Sequence, residues 1–190
     1  MVLYIFYCYN IEVITNKIGD GKMSYIKTKI NGLKFKKTTE EDALTLLNLI
    51  KKIAVYEKML DDVVATEETL KESIFKNNRA EALLIEFNGK IIGYIIYFFN
   101  FSTFIGREGL YLEDIYIDPE YRGNGIGKEA FETLVHIAKE NKCERMEWVC
   151  LDWNEPSLKF YDSIGAKQMN EWIIHRLDKD ALDKIHNEGL

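Results

Sequence analysis

The sequence predicts a mixed α/β fold, and three observations carry the prediction. Apolar runs of strand length alternate with stretches of helical periodicity. The pair Asn88-Gly89 separates two β-rich runs, and Asn-Gly is the strongest short hairpin signal. A glycine-rich corner, Tyr121-Arg122-Gly123-Asn124-Gly125-Ile126-Gly127-Lys128, joins an apolar strand to an amphipathic helix. With 190 residues, 47% of them hydrophobic, the chain has the length and apolar content for one domain.

Val2–Tyr9 is apolar and aromatic but lacks the basic segment and small-residue cleavage site of a secretory signal. Regular patterning begins near Leu33. Residues 1–32 are therefore expected to be an N-terminal extension, with 1–22 adding nothing to the chemistry, and 33–190 the functional domain. An added edge strand is the competing reading of the extension.

Leu33–Lys37 alternates and predicts a first strand. Thr38 and Glu41 have the spacing of a capping box, and Leu44, Leu47, Ile50 and Ala54 then repeat at helical intervals to about Lys58. Thr66, followed by Glu67 and Glu68, opens a second helix that ends near Asn77-Asn78. Ala80–Phe87 and Lys90–Phe99 are the two arms of the hairpin. The second arm is apolar on both faces, as a central buried strand requires.

Asn100–Gly109 reads as a loop, and Leu110–Ile117 as a fourth strand stopped by Asp118-Pro119. Beyond the glycine corner, Phe131, Leu134, Val135 and Ala138 form an apolar stripe. Glu144–Leu151 predicts a fifth strand. Pro156 opens a short helix that stops before Gly165. A last β segment at Glu171–Leu177 and a polar helix at Lys179–Asn187 complete the order.

A net charge of -6 argues against nucleic acid, whose phosphates need a basic face, and favours a small cationic substrate. No apolar run reaches the length of about 18 residues that a membrane span needs. Cys8, Cys143 and Cys150 are odd in number and form no Cys-x-x-Cys pair, which fits a reduced cytoplasm. His136, His175 and His186 are scattered, so no metal site is expected.

The glycine corner carries the chemistry. Its three glycines permit positive φ angles and close backbone approach. The helix that follows offers free N–H groups and the positive end of its dipole to a phosphate or pyrophosphate. Arg122 and Lys128 add charge. The spacing is not that of a P-loop, since Asn124, Gly125 and Ile126 alone separate Gly123 from Gly127, and Glu129 follows Lys128. Nor is it the dinucleotide fingerprint, which lies in an early strand–helix unit.

Arg122-Gly123-Asn124-Gly125-Ile126-Gly127 resembles the Arg/Gln-x-x-Gly-x-Gly/Ala acetyl-CoA loop of the GNAT N-acetyltransferases. Four segments are similar to the diamine (spermidine/spermine) acetyltransferase branch. They are Val55–Met59, Leu110–Asp114, Tyr121–Gly127, and Trp153–Ser157 with Phe160-Tyr161. The similarity runs from about Leu33 to Leu177.

The resemblance implies a GNAT acyltransferase fold, a mixed sheet flanked by helices whose fourth and fifth family strands splay apart around the pantetheine arm. It implies that Ile115, Tyr116 and Ile117 pair their backbone with pantetheine, and that Arg122, Gly123, Asn124, Gly125, Ile126, Gly127 and Lys128 wrap the pyrophosphate. Asn154 and Ser157 would contact the cofactor, and Tyr161 would lie near the thioester sulfur. Tyr56, Glu57, Glu113 and Asp114 are implied for the amine, with Glu113 as proton relay. A homodimer is also implied. The sequence departs from the family at Ser102-Thr103-Phe104-Ile105-Gly106, where an acidic contact is lost at Ser102. That leaves a small diamine, a lysine-like amine or an amino-acid analogue as substrate.

Acyl transfer to an amine requires the neutral form. An amine of pKa about 10.4 is neutral roughly once in 2,500 molecules at pH 7, a penalty near ~4.6 kcal/mol. A carboxylate or a water relay is therefore needed to accept a proton. Adjacent strand residues point to opposite faces, so only one of Glu113 and Asp114 faces the cleft unless a bulge intervenes; the family resemblance favours Glu113. The leaving thiolate needs a proton, and Tyr161 can supply it.

The sequence thus reads as an acetyl-CoA-dependent N-acetyltransferase for a primary amine of a small cationic substrate, with no metal. Acetylation of a protein or peptide amine is one alternative. A non-catalytic CoA-binding regulatory domain is the other, and Glu113 and Tyr161 beside an intact glycine corner count against it.

Overall fold

The computed structural model describes residues 13–18 and 21–190; Cys8 and the apolar run Val2–Tyr9 lie outside them. Strands β1 (Val13–Ile18), β2 (Gly21–Lys27), β3 (Leu33–Lys37), β4 (Glu81–Phe87), β5 (Lys90–Ser102), β6 (Arg107–Ile117) and β7 (Met146–Glu147) form one sheet in chain order. Every neighbouring pair is antiparallel except β6 and β7, which run parallel.

β2 pairs with β3 through Tyr25–Lys27, and Tyr25 and Ile26 are buried. The sheet therefore crosses position 33, where the sequence places the start of the domain. Residues 13–18 and 21–27 are strands, and the rest of the extension's first 22 residues lies outside the described ones.

A single 3-10 turn, Glu40–Asp42, leads into α1 (Ala43–Glu57). The capping box lies one residue beyond the expected Thr38–Glu41 pair: the Thr39 N–H donates to Asp42 Oδ2 at 2.9 Å. Thr38 is committed elsewhere, its hydroxyl donating to the Ala82 carbonyl at 2.9 Å. Of the expected apolar positions of α1, Leu47 and Ala54 are buried and Ile50 is half-buried. Leu46 and Leu49 pack with Leu84, Tyr94, Ile96 and Tyr116, whereas the expected Leu44 is exposed.

α2 (Glu67–Leu70), capped by Thr66, continues as a π turn, Lys71–Lys76, whose Ile74 joins the same cluster. On the opposite face of the sheet, Tyr97 borders a cavity of about 250 Å³ that Ile137 and Glu140 also line. Those two belong to α3 (Ile126–Glu140). Ala130, Phe131, Leu134, Ile137 and Ala138 are buried there, while the expected Val135 is exposed.

The Asn88-Gly89 hairpin is present, with φ of 50° and 81°, the doubly left-handed turn that Asn-Gly favours. β5 is buried from Ile92 to Tyr97 between β4 and β6, as the two-sided apolar run predicts. The expected loop Asn100–Gly109 is mostly strand. β5 runs on to Ser102 and β6 begins at Arg107, so only Thr103–Gly106 turns. The Gly106 N–H closes this turn on the Ser102 carbonyl at 2.7 Å.

The fifth predicted strand, Glu144–Leu151, is reduced to Met146–Glu147, which pairs only with Leu110 and Tyr111. From Cys150 the chain forms a second unit containing α4 (Glu155–Ser163) and α5 (Lys179–Glu188). Glu171–Leu177 is not a strand, and Trp172, Ile173 and Ile174 are exposed. Its own unit holds no strand to complete a ladder with it.

Candidate active site

β5 and β6 lose register between Ile96 and Tyr97: Ile96 lies opposite Asp114, and Tyr97 opposite Leu112. Glu113 is the extra residue of a β-bulge. The bulge resets the alternation of β6, so that Asp114 and Tyr116 share the α1 side of the sheet. Glu113 itself is exposed. This is the bulge that the alternation of Glu113 and Asp114 left open.

Asp114 Oδ2 accepts a hydrogen bond of 2.8 Å from the hydroxyl of Tyr94, whose side chain is fully buried. Burial raises the Asp114 carboxyl above the usual carboxylate range, and the Tyr94 hydrogen bond offsets part of that rise. Glu57, the last residue of α1, is also raised, first by burial and then by the charge of Asp114. Two carboxylates thus share a site of low polarity, an arrangement that a cation relieves. Sequence reasoning missed Tyr94. Its signal was a tyrosine among the isoleucines of a strand apolar on both faces, since a buried hydroxyl needs a partner.

β6 ends at a second polar network. Tyr116 donates its hydroxyl to Asp118 Oδ1 at 3.0 Å, and Lys52 of α1 reaches the two Asp118 oxygens at 2.8 and 3.0 Å. Burial and the Asp118 carboxylate push the Tyr116 hydroxyl up to about 12. Arg122 Nε donates to the Ile117 carbonyl at 2.8 Å. The Arg122 guanidinium lies 4.9 Å from the centre of the Tyr56 ring and 5.8 Å from that of Tyr116. Tyr56, expected beside the amine, therefore faces Arg122.

In the glycine corner, Gly123 and Gly125 both have φ of 79°, the left-handed conformation that favours glycine. Gly125 is the N-cap of α3. Gly127 differs: it is helical, and a Cβ there would meet only Ile117 Cδ1, at 3.8 Å. Its missing side chain leaves room in front of the helix. Asn124 Nδ2 donates to the Tyr121 and Arg122 carbonyls at 3.2 and 3.4 Å and braces the loop from within. Ile126 is buried and anchors the first turn. Lys128 is mostly exposed and lies 3.9 Å from Glu132. Upstream residues reach this corner too, because the Lys29 N–H donates to Glu129 Oε1 at 2.8 Å.

The strand beside the corner has an open edge. β7 covers β6 only at Leu110 and Tyr111. The Asp118 N–H donates to the Ile92 carbonyl at 2.8 Å, which fixes the alternation upstream. Tyr116 consequently turns its peptide groups toward β5, whereas Ile115 and Ile117 direct theirs to the open edge. Gly93 allows this close approach of β5 and β6; a Cβ there would lie 2.1 Å from the Tyr116 carbonyl oxygen.

In the second unit, Asn154 caps α4, and Ser157 and Tyr161 lie one turn apart on it. Burial and the neighbouring Cys150 push the Tyr161 hydroxyl up to about 12, while a hydrogen bond with Ser157 acts in the opposite sense. At neutral pH Tyr161 holds its proton. Among the described residues there is no group of three or more His, Cys, Asp or Glu side chains able to hold a metal ion.

The family profile described as "Acetyltransferase (GNAT) family" matches residues 46–166. A thialysine N-epsilon-acetyltransferase of Bos taurus is 34% identical over 158 residues, covering 77% of this chain and 92% of that protein. An L-ornithine N5-acetyltransferase of Arabidopsis thaliana is 35% identical over 95 residues, covering 50% of this chain and 42% of that one. Among solved structures, an integron cassette protein from the mobile metagenome of Vibrio cholerae superposes with a TM-score of 0.70. It is 23% identical and covers 83% of this chain and 99% of its own, which shows the fold. The profile and the bovine relative together establish that this chain belongs to the acetyltransferase (GNAT) family and is an acetyl-CoA-dependent N-acetyltransferase.

Proposed function

We propose that the protein acetylates the terminal primary amine of a small, lysine-like cation, with the ammonium received by Glu57 and Asp114 and acetyl-CoA held along β6 and the glycine corner. The observation that carries the reading is the raised pair Glu57 and Asp114 beside a fully buried Tyr94. A small cation neutralises such a pair without bringing a bulky surface with it. The net charge of -6 points the same way. The relatives named for thialysine and ornithine act on amines of this kind.

The chain fits the cofactor on its own geometry. Ile115 offers its peptide groups and Ile117 its N–H at the stretch of β6 that β7 does not pair with, the Ile117 carbonyl being taken by Arg122, and Gly123 to Lys128 present backbone N–H groups at a helix start. Gly127 leaves the space a diphosphate needs. When bound there, acetyl-CoA supplies the acetyl group as a thioester. Asn154 and Ser157 are further cofactor contacts in this reading.

Glu113 accepts the proton that the ammonium loses, directly or through one water. Its exposure suits a group that must pass the proton on to solvent. An N–H at the open edge of β6 stabilises the charge that develops on the carbonyl oxygen. Tyr161 Oη holds the proton destined for the departing sulfur. Its value of about 12 keeps it protonated at neutral pH. No metal enters this scheme.

The reading extends to a homodimer in a reduced cytoplasm. Its supports are the thiols Cys143 and Cys150, which form no disulfide among the described residues, and the exposed apolar side chains Phe101 and Phe104 at the β5–β6 turn. No helix among the described residues is long and apolar enough to cross a membrane.

Release of free CoA, followed with diamines, polyamines, lysine and ornithine analogues and a lysine-containing peptide, tests the function. Turnover with lysine-like or ornithine-like amines is expected. Turnover confined to the peptide, or none with any amine, would overturn the small-amine reading.

A further inference from the structure

We propose that Tyr56 positions Arg122 for the cofactor diphosphate, and so acts on acetyl-CoA rather than on the amine; this rests on the acetyl-CoA reading above. Arg122 is exposed, and an exposed arginine ordinarily samples many rotamers. Here three contacts fix its plane. The Tyr56 ring centre lies 4.9 Å from the guanidinium carbon, the Tyr116 ring centre 5.8 Å, and Nε donates to the Ile117 carbonyl at 2.8 Å.

The terminal Nη groups carry the remaining donors of a rigid fork, and such a fork matches two phosphate oxygens. They belong to the residue that immediately precedes Gly123, where the left-handed turn begins. Ordering the fork in advance lowers the entropic cost of binding an anion.

The support for the rings comes from α1. Lys52 and Tyr56 lie one turn apart on that helix and reach the end of β6 together. Lys52 holds Asp118, Asp118 holds the Tyr116 hydroxyl, and Tyr116 backs Arg122. An ammonium seeking the same face of the Tyr56 ring would meet a guanidinium already there, and like charges repel. The amine is therefore left to Glu57 and Asp114.

The test is calorimetry of acetyl-CoA binding without amine, on wild type, Tyr56→Leu, Tyr56→Phe, Arg122→Lys and the Tyr56→Leu/Arg122→Lys pair. Tyr56→Leu should weaken binding about three- to tenfold, the range of an exposed to partly buried cation–π contact. Tyr56→Phe, which keeps the ring, should restore wild-type affinity. The double variant should bind no worse than Arg122→Lys alone, because both changes remove one device. The amine KM at saturating acetyl-CoA should not move in Tyr56→Leu.

With 3′-dephospho-CoA the loss in Tyr56→Leu should persist; its disappearance would assign Arg122 to the 3′-phosphate and overturn the proposal. An unchanged acetyl-CoA affinity in Tyr56→Leu, with a raised amine KM, overturns it as well. Failure of the wild type to bind acetyl-CoA at all sinks the underlying reading instead, so the two failures are distinct.

Discussion

Tyr94 and Asp114 are joined across β5 and β6 by a hydrogen bond of 2.8 Å, one residue past a bulge and beneath the last turn of α1. The tyrosine is fully buried, so its hydroxyl has a fixed direction and the carboxylate a fixed place. Glu57 lies close enough to feel that charge.

The pair predicts a conflict between stability and function. Asp114 and Glu57 both have folded values raised above their ordinary ones of 3.8 and 4.5. A raised carboxyl contributes stability that is complete below its unfolded value and lost as pH rises through the folded value. Asp114→Asn removes that loss while keeping an acceptor for Tyr94. Its melting temperature should exceed wild type at pH 8 and approach or fall below it near pH 4. The amine KM should rise about tenfold, the equivalent of ~1.4 kcal/mol. A melting difference independent of pH would contradict the assignment.

Glu113→Gln should lower kcat by about 10²- to 10⁴-fold, the range of general base catalysis, with acetyl-CoA affinity unchanged by calorimetry. A kcat equal to that of wild type would leave proton transfer to Asp114 or to water.

Tyr161→Phe should also reduce kcat far more than it weakens acetyl-CoA binding. Since the hydroxyl titrates at about 12, wild-type rate should not fall with loss of its proton anywhere below about pH 10. Steady-state rates over pH 6–10 for both proteins check this, and a variant with unimpaired kcat removes the role.

Gly127→Ala separates folding from binding. The new Cβ meets only Ile117 Cδ1 at 3.8 Å, in a helical conformation. Alanine in a helix is favoured over glycine by about 0.5–1 kcal/mol, so the melting temperature should rise. Acetyl-CoA affinity should fall at the same time, because the methyl group occupies the approach to the helix start. Affinity that rises or stays level would show that no diphosphate comes near.

Removal of residues 1–22 should leave activity in place, because the chemistry is assigned downstream. Removal of residues 1–32 should not. It takes away the buried Ile26 and the Lys29 N–H that holds Glu129 at the glycine corner. Loss of a buried isoleucine alone costs about 2–5 kcal/mol. Melting curves and CoA release on the two truncated proteins decide the matter.

Local rules located most of these elements. Asn88-Gly89 named its own turn, Thr66 capped its helix, and Gly125 initiated α3, because each acts within a few residues. The exposed side of α1 was harder to read. Leu44 has helical spacing, but which apolar stripe faces the sheet depends on where β4 and β5 lie. Strand lengths likewise depend on partners. β5 and β6 extend each other through Asn100 and Gly109, while Glu171–Leu177 has the composition of a strand and no ladder in its own unit.

The candidate site was legible as a set of residue types and illegible as a set of contacts. Glu57, Glu113, Asp114 and the glycine corner stood out by chemistry or by resemblance. The turn of Tyr56 onto Arg122 and the Lys52–Asp118–Tyr116 chain join positions far apart in sequence, and no local spacing encodes them.

The extra residue at Glu113 separates the presence of one carboxylate on β6 from the placement of the next. Excising it would restore plain alternation with Leu112 still opposite Tyr97 and Asp114 still opposite Ile96, so one acidic group would vanish while the other kept its seat. The Tyr94 hydroxyl would keep its acceptor. A one-residue deletion at this bulge is therefore a backbone-level way to subtract Glu113 from the strand without disturbing its neighbour.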